Sequence, residues 1–124
     1  PNSQYWEKWT EVPLGITHWS HRPIGTMVLN LAYTSDEEGD PVPWNETKWI
    51  DSEFNSLLKK ANGTIDVDER RKIFCKLEEI QQSRGSIGNS YWLNYWMITT
   101  NRVQDLHVNP NIFYHLADVW LKRA

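Results

Sequence analysis

Two adjacent helix patterns, each with its own capping signal, constrain the fold of this chain more than any other feature. Asp51 can cap the first helix, whose apolar residues recur at i, i+3, i+4 and i+7 and are Phe54, Leu57, Leu58 and Ala61. Gly63 supplies a left-handed stop for that helix. Asp66 and Glu69 then form an aspartate version of the capping box, and the second helix ends at Gly85 after a stripe made of Ile73, Phe74, Leu77 and Ile80. The pattern predicts a helical hairpin.

The segments that flank the hairpin predict β-strands and one more short helix. Leu14–Ser20 alternates and is bounded by prolines, and Ser90–Thr99 is rich in tyrosine, tryptophan, leucine and isoleucine, so both predict strands. The apolar run Gly25–Tyr33 has no clean period, which favours a short buried helix over another strand. Asp36–Trp44 contains one glycine and two prolines and therefore predicts a surface loop.

This order of elements predicts an α/β fold. A strand, a helical crossover and a second strand imply a parallel pair within one sheet. After the second strand, Asn101–Asn111 is a polar crossing segment, and Phe113–Leu121 fits either a strand or a helix. Two or three strands would leave a thin sheet with unpaired edges, so we expect further strands in a longer polypeptide that begins before Pro1.

Composition excludes several classes of function. The formal net charge of -3 comes from interspersed acids and bases without a basic stripe, which argues against nucleic-acid binding. The sequence has no apolar run of bilayer length, and its first residues lack the basic and apolar parts of a signal peptide. Eight tryptophans among 124 residues cannot all enter so small a core. The only cysteine, Cys75, is expected to be a small buried apolar residue that forms no disulfide.

The segment His18–Arg22 places two imidazoles, an indole, a hydroxyl (Ser20) and a guanidinium just before a proline. That proline favours an extended end to the predicted strand, which is where α/β proteins usually bind ligands. Arg22 suits a ligand carboxylate or phosphate, or else a structural salt bridge. Trp19 suits stacking on a ligand, or else simple packing. Because the segment is extended, His18 and His21 are not expected to share a metal ion.

Other aromatic residues have both a binding and a packing interpretation. Trp44 and Trp49 flank residues 45–47 in the predicted loop, where Trp44 can cover a cleft and Trp49 anchors the loop. Residues 45–47 and 62–64 match the N-glycosylation sequon, and we interpret both matches as chance. An aromatic ladder of mixed faces is formed by Tyr91, Trp92, Tyr95 and Trp96. We expect its place to be the core, although half of it could face a cleft or a missing lobe of the longer polypeptide.

The candidates for catalysis form no convincing set. Ser20 with His18 or His21 is a loose combination, and the sequence contains no nucleophile elbow, metal-binding helix or phosphate loop. We therefore expect no catalytic residues, no metal site and no cofactor. An alternative that the tryptophans leave open is a self-contained carbohydrate-binding or protein-interaction module. Such modules are usually all-β, so the predicted helical hairpin argues against this alternative.

Three features in this order resemble a known protein family. They are the strand and turn Gly15–Pro23, the loop Pro43–Thr47 leading to Trp49, and the hairpin from Phe54–Leu58 through Asp68–Lys72. Over nearly the whole chain they resemble the C-terminal part of periplasmic solute-binding proteins of the peptide, dipeptide and nickel class, which serve ABC importers. In that family a leucine pair is followed by an acid and arginine run that opens the next helix.

The resemblance implies a two-lobed receptor that closes on its ligand by hinge motion and is longer than this chain. Residues 1–100 would be part of the C-terminal lobe, and residues 101–124 would be the hinge crossing and the return to the other lobe. A hinge strand should then lie near Asn101–Pro110. The implied location is periplasmic or extracytoplasmic in a bacterium, with the signal peptide outside this chain. The implied partners are a membrane permease and the remainder of the same polypeptide.

The resemblance also implies where the ligand lies. Thr17–Arg22 falls where family members line the cleft, at a place where peptide-binding relatives carry an aspartate for the ligand's free amine. This segment contains no acid, which argues against a simple free-amine peptide. The predicted ligand-binding residues, for a peptide-like or related small polar solute, are His18, Trp19, Ser20, His21, Arg22 and Trp44.

Overall fold

The protein is helix-rich, with two short antiparallel strands. The computed structural model describes residues 2–89, 91, 92, 94, 96–109 and 114–123. In chain order its elements are α1 Asn2–Lys8, α2 Thr26–Ala32, α3 Ser52–Gly63, α4 Val67–Arg84, β1 Val103–Gln104 and β2 Trp120–Leu121. The described residues divide into two compact units. Unit 1 comprises residues 1–18 and 24–88, and unit 2 comprises residues 19–23 and 89–124.

The helical hairpin of unit 1 is confirmed, including both of its caps. The Asp51 carboxylate accepts the Phe54 amide N–H at 2.9 Å and so caps α3. The Asp66 carboxylate accepts the Glu69 amide N–H at 2.8 Å and caps α4 in the same way. Helix α4 ends at Arg84 with Gly85 as its C-cap, as its sequence predicts.

Apolar side chains facing across the hairpin form the core of unit 1. Helices α3 and α4 pack against each other, and α2 packs against α3. The fully or nearly fully buried apolar residues of these helices are Ala32, Phe54, Leu58, Ala61, Ile73, Leu77 and Ile80. The short helix predicted within Gly25–Tyr33 is therefore confirmed as α2, and the loop predicted at Asp36–Trp44 follows it. This core supports the loop that precedes α3.

Two details of the hairpin differ from the prediction. Gly63 is the last residue of α3, but its φ is not positive, so the expected left-handed stop is wrong. The helix ends instead at an extended Thr64, whose N–H donates to the Ala61 carbonyl at 3.2 Å. Cys75 was expected to be buried and is exposed, because it lies on the side of α4 away from the buried Ile73 and Leu77.

The first part of the chain, residues 2–22, also differs from the prediction. The strand predicted at Leu14–Ser20 is wrong, since residues 15–22 have no regular secondary structure. Alternation alone does not make a strand without a neighbouring strand to complete its hydrogen bonds, and Ile16 is 94% exposed. The chain forms α1 near its start instead, a helix that the sequence patterns did not indicate.

The described part of unit 2 contains both strands and is otherwise irregular. Strands β1 and β2 pair antiparallel, with Val103 opposite Leu121 and Gln104 opposite Trp120. The predicted parallel pair is therefore wrong. Within the ambiguous segment Phe113–Leu121, β2 covers Trp120–Leu121, while the described residues 114–119 form neither a helix nor a strand. Strand β1 lies within the segment where a hinge strand was expected.

The second predicted strand, Ser90–Thr99, is also wrong over its described residues. The described residues of Ser90–Thr99 form no strand, while Ser90, Leu93 and Tyr95 lie outside the described residues. The aromatic ladder was expected in the core, but its described members Tyr91, Trp92 and Trp96 are all strongly exposed. The expectation that the tryptophans cannot all be enclosed is confirmed, since the exposed ones are Trp6, Trp44, Trp92, Trp96 and Trp120.

Candidate ligand-binding site

The predicted binding residues fall into both units. His18 and Trp44 belong to unit 1, whereas Trp19, Ser20, His21 and Arg22 belong to unit 2. All of them lie on irregular or turn backbone rather than on a helix or strand. His18 and His21 are exposed, and Trp19, Ser20 and Arg22 are half-buried.

Arg22 bonds to its own segment. Its Nη1 donates to the Ser20 carbonyl at 3.3 Å and to the His21 carbonyl at 3.4 Å. Both bonds are long and therefore weak. Among the described residues no acid pairs with Arg22, so the structural salt bridge considered from the sequence is absent there. The guanidinium can exchange these weak contacts for a stronger bond to an anionic group.

Trp44 lies at the end of a row of aromatic rings in unit 1. The row consists of Tyr5, Trp6, Trp9 and Trp44, and we call it the aromatic row. Successive ring centroids are 4.9, 5.9 and 6.3 Å apart, and each pair is edge-to-face. Trp6 is 61% exposed and Trp44 is 49% exposed, so two members of the row present a large part of their surface to solvent. The row depends on α1, which explains why the sequence patterns indicated Trp44 but not its neighbours.

A chain of hydrogen bonds connects the aromatic row to a carboxylate. The Tyr5 hydroxyl donates to Thr17 Oγ1 at 2.8 Å, and the Thr17 hydroxyl donates to Glu46 Oε2 at 2.5 Å. Glu46 is half-buried and lies two residues after Trp44. Burial, with a smaller contribution from the Glu46 charge, raises the pKa of Tyr33 to about 12, so that Tyr33 stays neutral. Sequence reasoning missed Glu46 because a single acid in a loop has no distinguishing pattern.

The turn that carries Trp44 and Glu46 is held by a buried amide. Asn45 is 0% exposed, and its Nδ2 donates to the Thr34 carbonyl at 3.2 Å and to the Trp49 carbonyl at 2.7 Å. Its Oδ1 accepts the Thr47 hydroxyl at 3.2 Å. With its amide fully engaged, Asn45 is inaccessible to a glycosyltransferase in the folded chain. Trp49 packs edge-to-face on Phe54 with centroids 5.1 Å apart, which confirms that it anchors the loop.

An open groove lies elsewhere in unit 1. Its volume is about 320 Å³, and it is lined by Glu53, Lys76, Glu79, Ile80, Ser83 and Arg84. The Arg84 guanidinium in this groove already bonds Asp51 Oδ2 at 2.6 Å and Glu53 Oε2 at 2.5 Å. The Arg84 and Glu53 charges in this groove therefore already compensate each other.

The described residues show neither a metal cluster nor a membrane-spanning helix. None of their histidines, cysteines, aspartates and glutamates come together in a group of three or more that could hold a metal ion. Within the same part of the chain, each helix is too short or too polar to span a bilayer.

Comparisons with known proteins complete the description of this site. The chain matches no protein-family model, no curated protein and no solved structure. Among the described residues of unit 1, the aromatic row is joined to the carboxylate of Glu46 through Tyr5 and Thr17.

Proposed function

We propose that this chain is part of an extracytoplasmic solute-binding component of a bacterial ABC importer. Its task is to capture a peptide-like or related small polar solute and to deliver it to a membrane permease, without catalysis. The observation that carries the proposal is that the half-exposed Trp44 and the half-buried Glu46 share one turn, which the Asn45 side chain holds in place. Small-molecule sites combine such apolar and aromatic walls with a few directed polar groups.

The two units carry different kinds of candidate contact. In unit 1 the aromatic row offers stacking area, and Glu46 offers a charged acceptor. In unit 2, Trp19 is proposed as a stacking platform and Arg22 as a charged anchor, with Ser20 and His21 as further polar contacts. His18, in unit 1, is proposed as another polar contact. The weak bonds of Arg22 to its own backbone support this role because a ligand carboxylate would replace them at little cost.

Exposed apolar side chains support the proposal that the chain works together with more protein. The described part of unit 2 exposes more than half of the side chain at Tyr91, Trp92, Trp96, Ile98, Val108, Tyr114, Leu116, Trp120 and Leu121. Apolar surface on this scale is typical of an interaction surface. We propose that the remainder of the same polypeptide covers part of it and that the permease binds the assembled receptor.

A thermal melt with and without ligands tests the proposal. We would measure the melting temperature of the chain with di- and tripeptides, opines and oligosaccharides as separate panels. A ligand at one hundred times its Kd adds about 2.7 kcal/mol to the free energy of unfolding, which is readily seen in a melt. The proposal expects a peptide-like or opine-like solute to raise the melting temperature, and it is wrong if neither class does.

A substitution at the proposed anchor sharpens this test. Arg22→Ala should weaken binding of an anionic solute far more than binding of a neutral one. Arg71→Ala is the matched control, because Arg71 only forms an exposed ion pair with Asp68 on α4. Equal losses for anionic and neutral solutes in Arg22→Ala would reject the anchor role.

The exposed tryptophans also favour a second candidate function, a tryptophan-rich carbohydrate-binding or protein-interaction module. Aromatic rings with large exposed faces are the platforms on which such modules stack sugars or partner side chains. The ligand panels separate the two candidates. A melting temperature that rises with oligosaccharides alone would support this module and contradict the importer component.

A further inference from the structure

We propose that Trp44 and Glu46 form a recognition site for an organic cation, such as a substituted ammonium group on the captured solute. This inference deepens the proposed function and rests on it, because it names the charge class of the ligand at that site. The structure brings together three requirements of such a site, which are an uncompensated carboxylate, aromatic faces and a rigid turn.

The charge of Glu46 lacks a partner within the described chain. One carboxylate oxygen accepts a hydrogen bond from the Thr17 hydroxyl, which is neutral, and the nearby Tyr33 is neutral as well. No lysine, arginine or histidine among the described residues forms an ion pair with Glu46. By contrast, the hairpin acids Asp51, Glu53, Asp68 and Glu69 each pair with a cationic residue, which is Arg71, Lys72 or Arg84.

A carboxylate that has no cationic partner gains a charge-assisted hydrogen bond when a cation arrives from outside. The Tyr5 hydroxyl donates to Thr17 and the Thr17 hydroxyl donates to Glu46, so these two hydrogen bonds form a relay that ends at Glu46. That relay keeps Glu46 oriented without neutralising its charge. A bound ammonium would supply the missing positive charge.

The aromatic row supplies the second requirement. The face of a tryptophan ring attracts cations more strongly than that of tyrosine or phenylalanine. The planes of Trp9 and Trp44 meet at 75°, and those of Trp6 and Trp9 at 73°. Rings at such angles form adjoining walls rather than a flat stack. Walls of this kind suit a compact group such as trimethylammonium.

The turn supplies the third requirement. The Glu46 N–H donates to the Trp44 carbonyl at 3.0 Å, and the Asn45 N–H donates to the Val42 carbonyl at 2.8 Å. The buried Asn45 side chain fixes the same turn to the backbone on both sides. Trp44 and Glu46 therefore need little ordering when a ligand binds, which favours affinity.

Choline and its neutral isostere 3,3-dimethyl-1-butanol provide a direct test. Each would be titrated into the ¹⁵N-labelled chain while the indole N–H signals of the eight tryptophans are followed by NMR. Trp44→Leu assigns the Trp44 signal. We expect choline to shift that signal at saturation and the neutral isostere to bind about tenfold more weakly or worse, as expected for a charge-assisted cation–π contact.

Variants of the acid complete the test. Glu46→Gln keeps an oxygen that can accept the Thr17 hydroxyl but removes the charge, and it should weaken choline binding by about tenfold or more. Glu38→Gln is the control, because Glu38 is an exposed acid in the preceding loop, and it should leave binding unchanged. Equal affinity for the two isosteres, or choline binding that survives Glu46→Gln, would overturn the inference.

The outcomes also separate this inference from the proposed function. If Glu46→Gln does not fold, the isostere comparison in the unaltered chain still decides the question. A solute panel that stabilises the chain, together with no binding of choline, overturns the cation site and leaves the importer component standing. Glu46-dependent choline binding without any response to peptide-like or opine-like solutes supports the cation site and overturns the importer component.

Discussion

Replacing Asn45 with alanine should strongly destabilise unit 1, because one buried amide joins three parts of the loop that precedes α3. Its Nδ2 donates to the carbonyls of Thr34 and Trp49 at 3.2 and 2.7 Å, and its Oδ1 accepts the Thr47 hydroxyl at 3.2 Å. The side chain is 0% exposed, so water does not replace these bonds in the native state. Asn45→Ala removes all three bonds at once.

The expected cost follows from those three bonds. A typical intramolecular hydrogen bond contributes about 0.5–1.5 kcal/mol, and a buried group left without its partner costs about 1–3 kcal/mol. The Thr34 and Trp49 carbonyls lie in half-buried residues and regain part of their hydration after the substitution. We therefore expect Asn45→Ala to lower the free energy of unfolding by about 2–4 kcal/mol. This is a large part of the roughly 5–15 kcal/mol that stabilises a typical domain.

Urea denaturation followed by far-UV circular dichroism measures this change, since α3 and α4 dominate the helical signal. Asn62→Ala is the matched control. Asn62 exchanges two side-chain hydrogen bonds with Asn30, at 3.2 and 3.1 Å, but it is exposed, so water can replace both. Its loss should cost less than about 0.5 kcal/mol. Equal destabilisation by the two substitutions would refute the reasoning that burial makes the Asn45 bonds valuable.

Three further predictions concern the hairpin and its loop. Leu77→Ala should lower the free energy of unfolding by about 2–5 kcal/mol in urea denaturation, because Leu77 is almost fully buried between α3 and α4. The hydrogen bond from the Arg84 guanidinium lowers the pKa of Asp51. The contribution of this pair to the free energy of unfolding is therefore fully present above the unfolded-state pKa of about 3.9, and it is lost as pH falls through the lowered folded-state pKa. The urea midpoint of Arg84→Gln should therefore lie below that of the unaltered chain at neutral pH and approach it in acid. Lys48 has φ 56°, so Lys48→Gly should raise the melting temperature by relieving up to about 1 kcal/mol of strain, whereas Lys59→Gly within α3 should lower it.

The elements predicted well from the sequence are those with local determinants. Caps at Asp51 and Asp66, together with apolar residues at helical spacing, specify α3 and α4 without reference to the rest of the chain. The short helix α2 was predicted from its own apolar run, and in the structure it packs on α3. In each case the residues that decide the structure lie within a few positions of one another.

The elements predicted poorly depend on distant partners. A strand needs a neighbour for its hydrogen bonds, and neither Leu14–Ser20 nor the described part of Ser90–Thr99 has one. The pair that does form, β1 with β2, joins segments about 17 residues apart that carry no strong alternating pattern. The helix α1 was missed because its residues, rich in aromatic and polar side chains, show no apolar stripe.

The candidate site follows the same distinction. Trp44 was predicted as a binding residue because an exposed aromatic in a loop is a recognisable feature of a single residue. Glu46 was missed because its significance lies in hydrogen bonds that span 29 positions to Thr17 and a further 12 to Tyr5. Both residues nevertheless belong to one turn held by Asn45, whose side chain is polar and whose place in the core has no hydrophobic signature. Because that turn fixes the aromatic face and the carboxylate together, the binding role proposed for Trp44 and the charge preference proposed for Glu46 depend on the same buried amide.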